Sequence, residues 1–541
     1  MAGETVGQND ERSVDYDVVV IGAGMGGIYA MHRYREQGLA VLGIESAADV
    51  GGVWYHNRYP GARVDIESYY YCFFFDQDLY EEWEWTERYP AQPEILAYLD
   101  HVATTYDIKR HFQFDTWMTG AQWEPASNRY TVTTDRGESY TCRFLVMASG
   151  QLSKPRKPEF EGLDVFQGEW VQTSEWPHHH VETEGKRIAI IGTGSSGVQA
   201  IPVLAETADQ LFVFHRTANY SIPANNAPLD RSKYADIASR IDAVWADLQQ
   251  HPAAAPVPLG VKTAAEYTPE EQQTLLEERW AYGGHTMNGV FTDQGTTKEA
   301  NDIVSEFVRD KIRSIVKDPT KAEILVPTEY PIGSRRLCVD TGYYDTFNRD
   351  NVTLVDVQAD PIVRITPTGI QTENHHYEVD LIVFAIGFNA FTGALEQANI
   401  RNEKGEQPSD GWSRGPKAYL GLMAHGFPNL FLVTGPGSPS VLANMIVSNV
   451  QHIDLIGSIV DYMKENGYER IEATEKAQES WVEEVATAAS RLLRLNVENY
   501  MVHVNKDDGS RVFIPYAGGY QNYAARCNEI MTNGFDGFEF A

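Results

Sequence analysis

The chain is poor in cysteine and has no long apolar run. Its four cysteines in 541 residues are far apart and form no CxxC or histidine-linked pattern: Cys72, Cys142, Cys338 and Cys527. This usage argues against disulfide reductase chemistry and favours a reducing cytosol. No run approaches the ~18 apolar residues of a membrane span, and the polar beginning MAGETVGQNDERS lacks a signal-peptide pattern. We therefore expect a cytoplasmic protein.

Positive charge is also scarce. The 44 Lys and Arg residues against 76 Asp and Glu leave a formal net charge of −32. Such a field repels nucleic acid and anionic membrane surfaces, so neither is expected as a partner. With 43% hydrophobic and 22% charged residues, the composition is that of a globular protein. The length predicts about three or four domains.

Two stretches of the chain have the order of parts of a βαβ unit. They are YDVVVIGAGMGGIYAMHRYREQGLAVLGIES from Tyr16 and KRIAIIGTGSSGVQAIPVLAETADQLFVFHR from Lys186. Two further apolar runs, FLVMASG at 144–150 and DLIVFAIGF at 380–388, are typical of parallel strands buried on both faces. The predicted fold class is therefore α/β, with two Rossmann-like dinucleotide-binding domains.

The segment 225–321 differs in composition from the rest of the chain. It is rich in Ala, Glu, Gln, Asp and Lys, and its apolar residues recur at helical spacing. This pattern predicts a helical insertion after the second βαβ unit. Such an insertion either covers a cleft or forms a packing layer, and the sequence favours neither.

The first unit carries a glycine motif that suits a nucleotide. Gly22, Gly24 and Gly27 form GxGxxG directly after a strand and before a helix. The first glycine permits a tight turn, the second lets backbone amides approach a pyrophosphate, and the third lets helix pack on strand. Glu45 ends the second strand 23 residues after Gly22, where an acid accepts hydrogen bonds from an adenosine ribose. The motif is therefore predicted to bind FAD or NAD and not to be a glycine turn that binds nothing.

The second unit has the same glycines, Gly192, Gly194 and Gly197, but its second strand ends in His215 and Arg216. An arginine there suits a 2′-phosphate and indicates NADP(H), although a solvated strand-end arginine is the simpler alternative. Two nucleotide folds of unlike ribose preference suggest hydride transfer from NADPH to a flavin. Three side chains of this glycine turn either donate hydrogen bonds to phosphate or cap the helix: Thr193, Ser195 and Ser196.

Two further segments carry a family resemblance. Residues 51–65 read GGVWYHNRYPGARVD, and residues 166–177 read FQGEWVQTSEWP. The first fits, and the second resembles, the fingerprints [A/G]GxWxxxx[F/Y]P[G/M]xxxD and FxGxxxHxxxW[P/D] of type I (class B flavoprotein) Baeyer–Villiger monooxygenases. The chain resembles this family, including phenylacetone and cyclohexanone monooxygenases, over almost its whole length. It departs at Gln172, which stands where the family has a histidine.

The resemblance implies an enzyme that uses FAD and NADP(H). In that family a ketone and O2 give an ester or lactone through a peroxyflavin. The segment GSRRLCVDTGYY places the catalytic arginine at Arg336, and Asp65 corresponds to the carboxylate that positions it. A permanent cation can stabilise anionic oxygen. Arg335 corresponds to a basic contact to the NADP phosphate.

The same resemblance assigns further contacts and the domain boundaries. Trp54 and Tyr59 are expected near the flavin, although aromatic residues in such a turn are commonly packing residues. Further expectations are Thr217 at the 2′-phosphate, Tyr500 near NADP, and a ketone pocket at Ser440, Val441 and Leu442. No metal is expected. The predicted domains are FAD-binding, 1–150 and 385–541; NADP-binding, 151–224 and 322–384; and the helical insertion, 225–321.

Two other functions remain open at this stage. A flavin monooxygenase that oxygenates nitrogen or sulfur shares the tandem units, but Trp176 and Pro177 speak against it. A non-oxygenating flavoprotein that senses NADP(H) is the second, with Gln172 as its mark, because glutamine does not titrate near neutrality. The sequence carries no signal of oligomeric state.

Overall fold

The computed structural model describes residues 14–541. The stretch MAGETVGQNDERS, for which the sequence predicts no signal peptide, lies outside the described residues. Within residues 14–541 no helix is long and apolar enough to cross a membrane. The strands are β1 Tyr16–Ile21, β2 Val41–Ile44, β3 Phe112–Gln113, β4 Met118–Glu124, β5 Arg129–Thr134, β6 Ser139–Met147, β7 Glu169–Gln172, β8 Arg187–Ile191, β9 Gln210–His215, β10 Ser221–Pro223, β11 Cys338–Asp340, β12 Val352–Asp356, β13 Ile362–Thr366, β14 Gly369–Thr372, β15 His376–Glu378, β16 Leu381–Phe384, β17 Ile400–Arg401, β18 Leu430–Leu432, β19 Ile471–Ala473, β20 Val502–Val504, β21 Arg511–Phe513 and β22 Phe538–Phe540.

The helices follow the same numbering along the chain. They are α1 Met25–Glu36, α2 Val53–His56, α3 Gln77–Glu82, α4 Gln92–Thr105, α5 Ser195–Thr207, α6 Arg231–Ser239, α7 Ile241–Gln249, α8 Pro269–Tyr282, α9 Lys298–Ile315, α10 Pro319–Leu325, α11 Tyr343–Thr346, α12 Gly393–Gln397, α13 Met445–Asn466, α14 Glu475–Ala489 and α15 Tyr520–Thr532.

The first sheet has a parallel core in the order β3-β2-β1-β6-β18, and an antiparallel extension in which β5 pairs the first half of β6 and β4 pairs β5. Both faces of β1 are buried. Val18 and Val20 face a core that includes α1 and α13, while Val19 faces the core that includes β4 and β5. This two-sided burial explains the unbroken apolar run before the glycine motif.

The second sheet is wholly parallel, in the order β12-β9-β8-β16-β7. One face packs with α5 and the other is covered by the antiparallel strands β13, β14 and β15. The two parallel sheets with their helices confirm the predicted α/β class with two dinucleotide-binding units. The strands of the first sheet come from residues 16–147 and 400–432, and those of the second from residues 169–215 and 352–384. The domain boundaries themselves stay predictions.

The segment 225–321 is helical, and its helices are divided between the two cores. Helices α6 and α7 bury Ile237 and Val244 in the core of the first unit, whereas α8 and α9 bury Leu276 and Val308 in the core of the second. The loop after α7 also reaches the chain before α13, where the Asn444 N–H donates to the carbonyl of residue 253 at 2.8 Å. The segment therefore packs on both units and contacts the loop at residues 440–444.

A buried carboxylate fastens this insertion to the first unit. Glu67 accepts hydrogen bonds from Arg88 (Nε 2.9 Å, Nη2 2.6 Å), from Lys233 Nζ (2.9 Å) and from the Tyr282 hydroxyl (2.9 Å). Burial alone would raise the pKa of Glu67, but its bonds to Lys233 and Arg88 and their charges hold it below its usual value. Lys233 lies in α6 and Tyr282 ends α8, so one carboxylate joins two helices of the insertion to the chain after Asp65.

We expect Glu67→Gln to lower the apparent melting temperature at pH 7 by about 2–4 °C, because two cations lose their shared counter-charge. A carboxylate with a depressed pKa stabilises the fold above its unfolded-state pKa, and this contribution is lost as the pH falls. The difference between variant and wild type should therefore shrink below pH 4.5, the ordinary value for this group. Thermal scans at pH 7 and pH 4 measure it. An equal difference at both pH values would contradict the role assigned to the Glu67 charge.

Candidate active site

The first glycine turn leaves no room for side chains. Gly22 has φ +104°, and a Cβ there would lie 2.7 Å from the Ala148 carbonyl oxygen. A Cβ on Gly27 would lie 1.8 Å from the Gly22 carbonyl oxygen, because α1 packs directly on the turn. Gly24 precedes α1 and faces Gly52 of the segment 51–65. The turn therefore presents bare backbone at a helix N-terminus, an arrangement that fits the pyrophosphate of a dinucleotide.

Glu45 stands at the carboxyl end of β2, beside this turn. One carboxylate oxygen accepts the Ala23 N–H at 2.6 Å and the other accepts the Ala47 N–H at 2.7 Å. Glu45 is 6% exposed, so these backbone bonds fix its position. The Ser46 hydroxyl also donates to the oxygen that accepts from Ala47, at 3.1 Å. Since a carboxylate offers about four acceptor sites, the oxygen bonded to Ala23 keeps one for a ribose hydroxyl.

The second glycine turn repeats this construction. Gly192 has φ +111°, and a Cβ on Gly197 would lie 2.2 Å from the Gly192 carbonyl oxygen. Around Gly194 there is open space, which leaves the N-terminus of α5 accessible to a phosphate. Ser195 is exposed there, with its hydroxyl 3.6 Å from the Cys338 sulfur. Thr193 is buried instead, and its hydroxyl contacts His215 Nδ1 at 3.1 Å.

A cavity of about 390 Å³ lies at the end of β9, the position of a 2′-phosphate in such folds. Arg216 and Thr217 line it, and Arg216 is exposed. Tyr330 lines the same cavity, and the Arg335 guanidinium stacks on its ring at 4.6 Å from the centroid. Buried Nε of Arg335 has no hydrogen-bond partner among the described residues. Arg216 and Thr217 at this cavity, with Arg335 stacked on its wall residue Tyr330, are a donor set that suits an NADP phosphate.

Arg336 and Asp65 form a bidentate ion pair. Arg336 Nε donates to Asp65 Oδ2 at 3.0 Å, and Nη2 contacts Oδ1 at 2.8 Å and Oδ2 at 2.6 Å. Burial alone would raise the pKa of Asp65, but the charge of Arg336 and the hydrogen bonds from Arg336 and His285 hold it well below its usual range. Asp65 is therefore an anion in the folded protein, and Arg336 is a fixed cation.

The predicted ketone loop meets this ion pair. Arg336 Nη1 donates to the Val441 carbonyl at 3.1 Å. Ser440 is fully buried with φ +46°, and its hydroxyl has no partner among residues 14–541. Val441 and Leu442 are partly buried in an apolar cluster that includes Phe391 and Tyr500.

Tyr500 lies between this cluster and Arg336. Its ring stacks on Phe391 with centroids 6.2 Å apart. Burial raises the pKa of Tyr500, while the charge of Arg336 and a hydrogen bond with it act in the opposite direction. The C-terminal residues therefore reach the ion pair directly.

The aromatic residues of the segment 51–65 have different surroundings. Trp54 Nε1 donates to the Tyr71 hydroxyl at 3.1 Å. Tyr59 is buried against α5, where its hydroxyl donates to Gln199 Oε1 at 2.8 Å. Ser196 of the second glycine turn also bonds to Tyr59, and burial raises the pKa of Tyr59 to about 12. The surroundings of Tyr59 thus belong to the second unit, so its place near a flavin stays a prediction.

Gln172, the departure from the family fingerprint, lies where the chain crosses between the units. Its Nε2 donates to the Arg156 carbonyl at 2.6 Å. The Arg156 N–H donates to the Gly387 carbonyl at 3.0 Å, and its Nε donates to the Phe388 carbonyl at 3.1 Å. The amide of Gln172 thus fastens one connection between the units to β7, and Arg156 itself bonds the other connection.

Sequence reasoning missed two residues of the site. His285 Nε2 lies 3.2 Å from Asp65 Oδ2, and Gln199 bonds both Tyr59 and the Arg63 carbonyl. His285 stands in no motif and is more than 200 residues from Asp65 in the chain. Only the docking of the insertion brings it there. Gln199 follows the second glycine motif by two residues, and nothing in the sequence indicates its partner.

Known proteins have the same architecture. A family model described as pyridine nucleotide-disulphide oxidoreductase matches residues 19–256. A solved structure of oxidized steroid monooxygenase bound to NADP is 46% identical, with a TM-score of 0.93 over 97% of this chain and 99% of that one. The solved complex of OTEMO with FAD and NADP is 38% identical, with a TM-score of 0.94 over 98% and 100%. A Baeyer–Villiger monooxygenase from Pseudooceanicola batsensis is 39% identical over 96% of this chain and 95% of its own.

The two nucleotide cradles and these relatives define a flavoprotein monooxygenase that uses FAD and NADP(H). The chain belongs to the Baeyer–Villiger monooxygenase family. This confirms the predicted family, enzyme class and cofactors over the two alternatives. All four cysteines are buried and free.

We expect Arg216→Ala to raise the KM for NADPH about 10- to 100-fold, because a charge-assisted bond to the 2′-phosphate is lost. The KM for NADH, which lacks that phosphate, should stay within about twofold, since no other contact of the cofactor changes. Steady-state kinetics with NADPH and with NADH measure the two KM values. Equal losses for NADPH and NADH would show that Arg216 supports the fold of the pocket instead.

We expect Gln172→Leu to lower the amount of ester formed per NADPH consumed, because the connection at Arg156 is no longer fastened to β7. Gln172→His retains a ring N–H donor and should lower the ratio less. Product quantification beside NADPH absorbance gives the ratio, and flavin content confirms folding. If Gln172→Leu matches the wild type, the amide is a spacer.

Proposed function

We propose that Arg336, held by Asp65, is the catalytic cation with which this enzyme converts a ketone and O2 into an ester or lactone. The observation that carries the proposal is the partly buried bidentate pair whose arginine also bonds the carbonyl of Val441. This pair lies between the loop at residues 440–442 and the fingerprint that ends in Asp65. A fixed cation is the group that ketone oxygenation requires there, since negative charge develops on oxygen during the reaction.

The residues present fit both cofactors. Bound NADPH supplies a hydride to FAD, and the reduced flavin then activates O2. The turn at Gly22, Gly24 and Gly27 with Glu45 would hold FAD, and the turn at Gly192, Gly194 and Gly197 would hold NADP(H). We assign the phosphates of NADP(H) to side chains around the second turn and its cavity: Thr193, Ser195, Ser196, Arg216, Thr217 and Arg335. Trp54 and Tyr59 are proposed as residues at the edge of the flavin site, and Tyr500 as a contact of NADP(H).

The hydrogen bonds of Arg336 fix its orientation. Nε and Nη2 donate to Asp65, Nη1 donates to Val441, and Tyr500 also bonds the guanidinium. Because Asp65 fixes the plane of the guanidinium, its positive charge is pre-oriented and can stabilise developing negative charge with little reorganisation.

We propose a bulky, mainly apolar ketone as substrate. The loop side chains Val441 and Leu442 join an apolar cluster with Phe391 and Tyr500, and Leu152 at the connection between the units is 37% exposed. Such walls favour apolar substrates but separate similar ones by only about 1–3 kcal/mol. Similarity to a steroid monooxygenase supports including steroids in the test panel. The buried free cysteines support a cytoplasmic location.

We expect Arg336→Ala to reduce ester formation about 100- to 1000-fold, the usual loss when a donor to developing negative charge is removed. The reduction of bound flavin by NADPH should be retained, because the nucleotide cradles are unchanged. Mass spectrometry of products from linear, cyclic, aromatic and steroid ketones measures the loss, with Arg336→Lys as the matched variant that keeps the charge but not the bidentate pair.

The outcome separates the possible roles. Ester formation at the wild-type rate in Arg336→Ala would reject Arg336 as the catalytic cation. Wild-type protein that oxygenates only sulfides or amines and no ketone of the panel would overturn the substrate class while leaving the cofactor assignments intact.

A further inference from the structure

The turn after α8 brings a histidine of the insertion to the ion pair. Gly283 and Gly284 have φ +80° and +65°, and together they reverse the chain. A Cβ on Gly284 would lie 2.3 Å from the Tyr89 hydroxyl, so the turn packs tightly on the first unit. Thr286 anchors its far side, with its hydroxyl donating to the Arg279 and Gly283 carbonyls at 2.6 and 2.9 Å. His285 is held between these anchors.

His285 contacts the carboxylate oxygen that accepts two bonds from Arg336. Its Nε2 lies 3.2 Å from Asp65 Oδ2, the oxygen that also accepts from Arg336 Nε and Nη2. The side chain of His285 is 15% exposed and that of Asp65 is 19% exposed. A hydrogen bond to a carboxylate screened from water in this way is stronger than one at the surface.

The other ring nitrogen determines which tautomer suits this contact. Nδ1 of His285 lies 3.5 Å from the Asn288 amide nitrogen. The amide nitrogen can only donate, so this contact favours a ring with Nδ1 as acceptor and the proton on Nε2. Asn288 also lies beside Gly333, whose added Cβ would be 3.3 Å from the Asn288 amide oxygen. The same turn therefore touches both the carboxylate and the loop that leads to Arg336.

We propose that His285 is a positioning residue for the oxygenation, which rests on the function proposed above. Its Nε2–H donates to Asp65 and fixes the carboxylate in the orientation that accepts Arg336 through both oxygens. The guanidinium of Arg336 then keeps one orientation. Through His285, the insertion orients Asp65 and thereby Arg336. It does so without contacting the substrate.

His285→Leu and His285→Gln test the proposal. Leucine removes the donor at similar volume, whereas the Gln Nε2 can replace the imidazole Nε2 as a donor. We expect kcat for ester formation to fall about tenfold in His285→Leu, the usual value of one charge-assisted bond, and to recover to within about threefold of wild type in His285→Gln. NADP+ affinity, measured by calorimetry on the FAD-loaded protein, should change by less than about twofold, since no cofactor contact is altered.

Tyr282→Phe is the matched control. It removes another hydrogen bond from the same turn to a carboxylate of the first unit, Glu67, which has no contact with Arg336. We expect a lower melting temperature and unchanged kcat. In an Asp65→Ala background, His285→Leu should reduce the remaining kcat by less than about twofold, because the two residues act through one contact.

The results distinguish this inference from the proposed function. If Arg336→Ala is inactive and His285→Leu keeps the wild-type kcat, the inference fails and the proposed function stands. An equal loss of kcat in Tyr282→Phe would also overturn it, since docking of the turn would then be the cause. If Arg336→Ala remains active, the proposed role of Arg336 fails, and that of His285 fails with it.

Discussion

The arrangement of the site depends on the ion pair between Asp65 and Arg336. The two residues come from different parts of the chain, and each partner has a further contact: His285 on the carboxylate and Val441 on the guanidinium. Removing one partner of this partly buried pair leaves the other charge without compensation. The fingerprint, the insertion and the ketone loop are therefore coupled through one electrostatic contact.

The two glycine turns help to position the segment that carries Asp65. Each lies at the carboxyl end of a buried parallel strand, where ligands of α/β folds bind. Gly24 faces Gly52, and a Cβ on Gly61 would lie 2.2 Å from the Gln199 carbonyl oxygen, so the fingerprint segment runs close to both turns. Because Tyr59 and Gln199 bond across the boundary, the segment that ends in Asp65 is fixed to the second unit as well as to the first.

The sequence was sufficient for the fold class and for both cradles, because the strand, glycine turn and helix are local and carry their own periodicity. Arg216 at the end of a strand could be chosen by position. Arg336 and Asp65 could be chosen only by resemblance, since an arginine in a loop has no local mark of its partner. His285 and Gln199 could not be found at all, because their partners are set by the docking of separate elements. The surroundings of Tyr59 illustrate the same limit, as an aromatic residue in a turn carries no indication of the surface it will meet.

The division of the insertion between two hydrophobic cores has a consequence for engineering. Exchanging residues 225–321 with the equivalent segment of a relative would change one side of two separate packing interfaces. The graft would also need a histidine that matches Asp65 and partners for Glu67. A chimaera that exchanges this segment alone should therefore lose stability without acquiring the substrate selectivity of the relative. Recombination points are better placed where the exchanged segment packs in neither core.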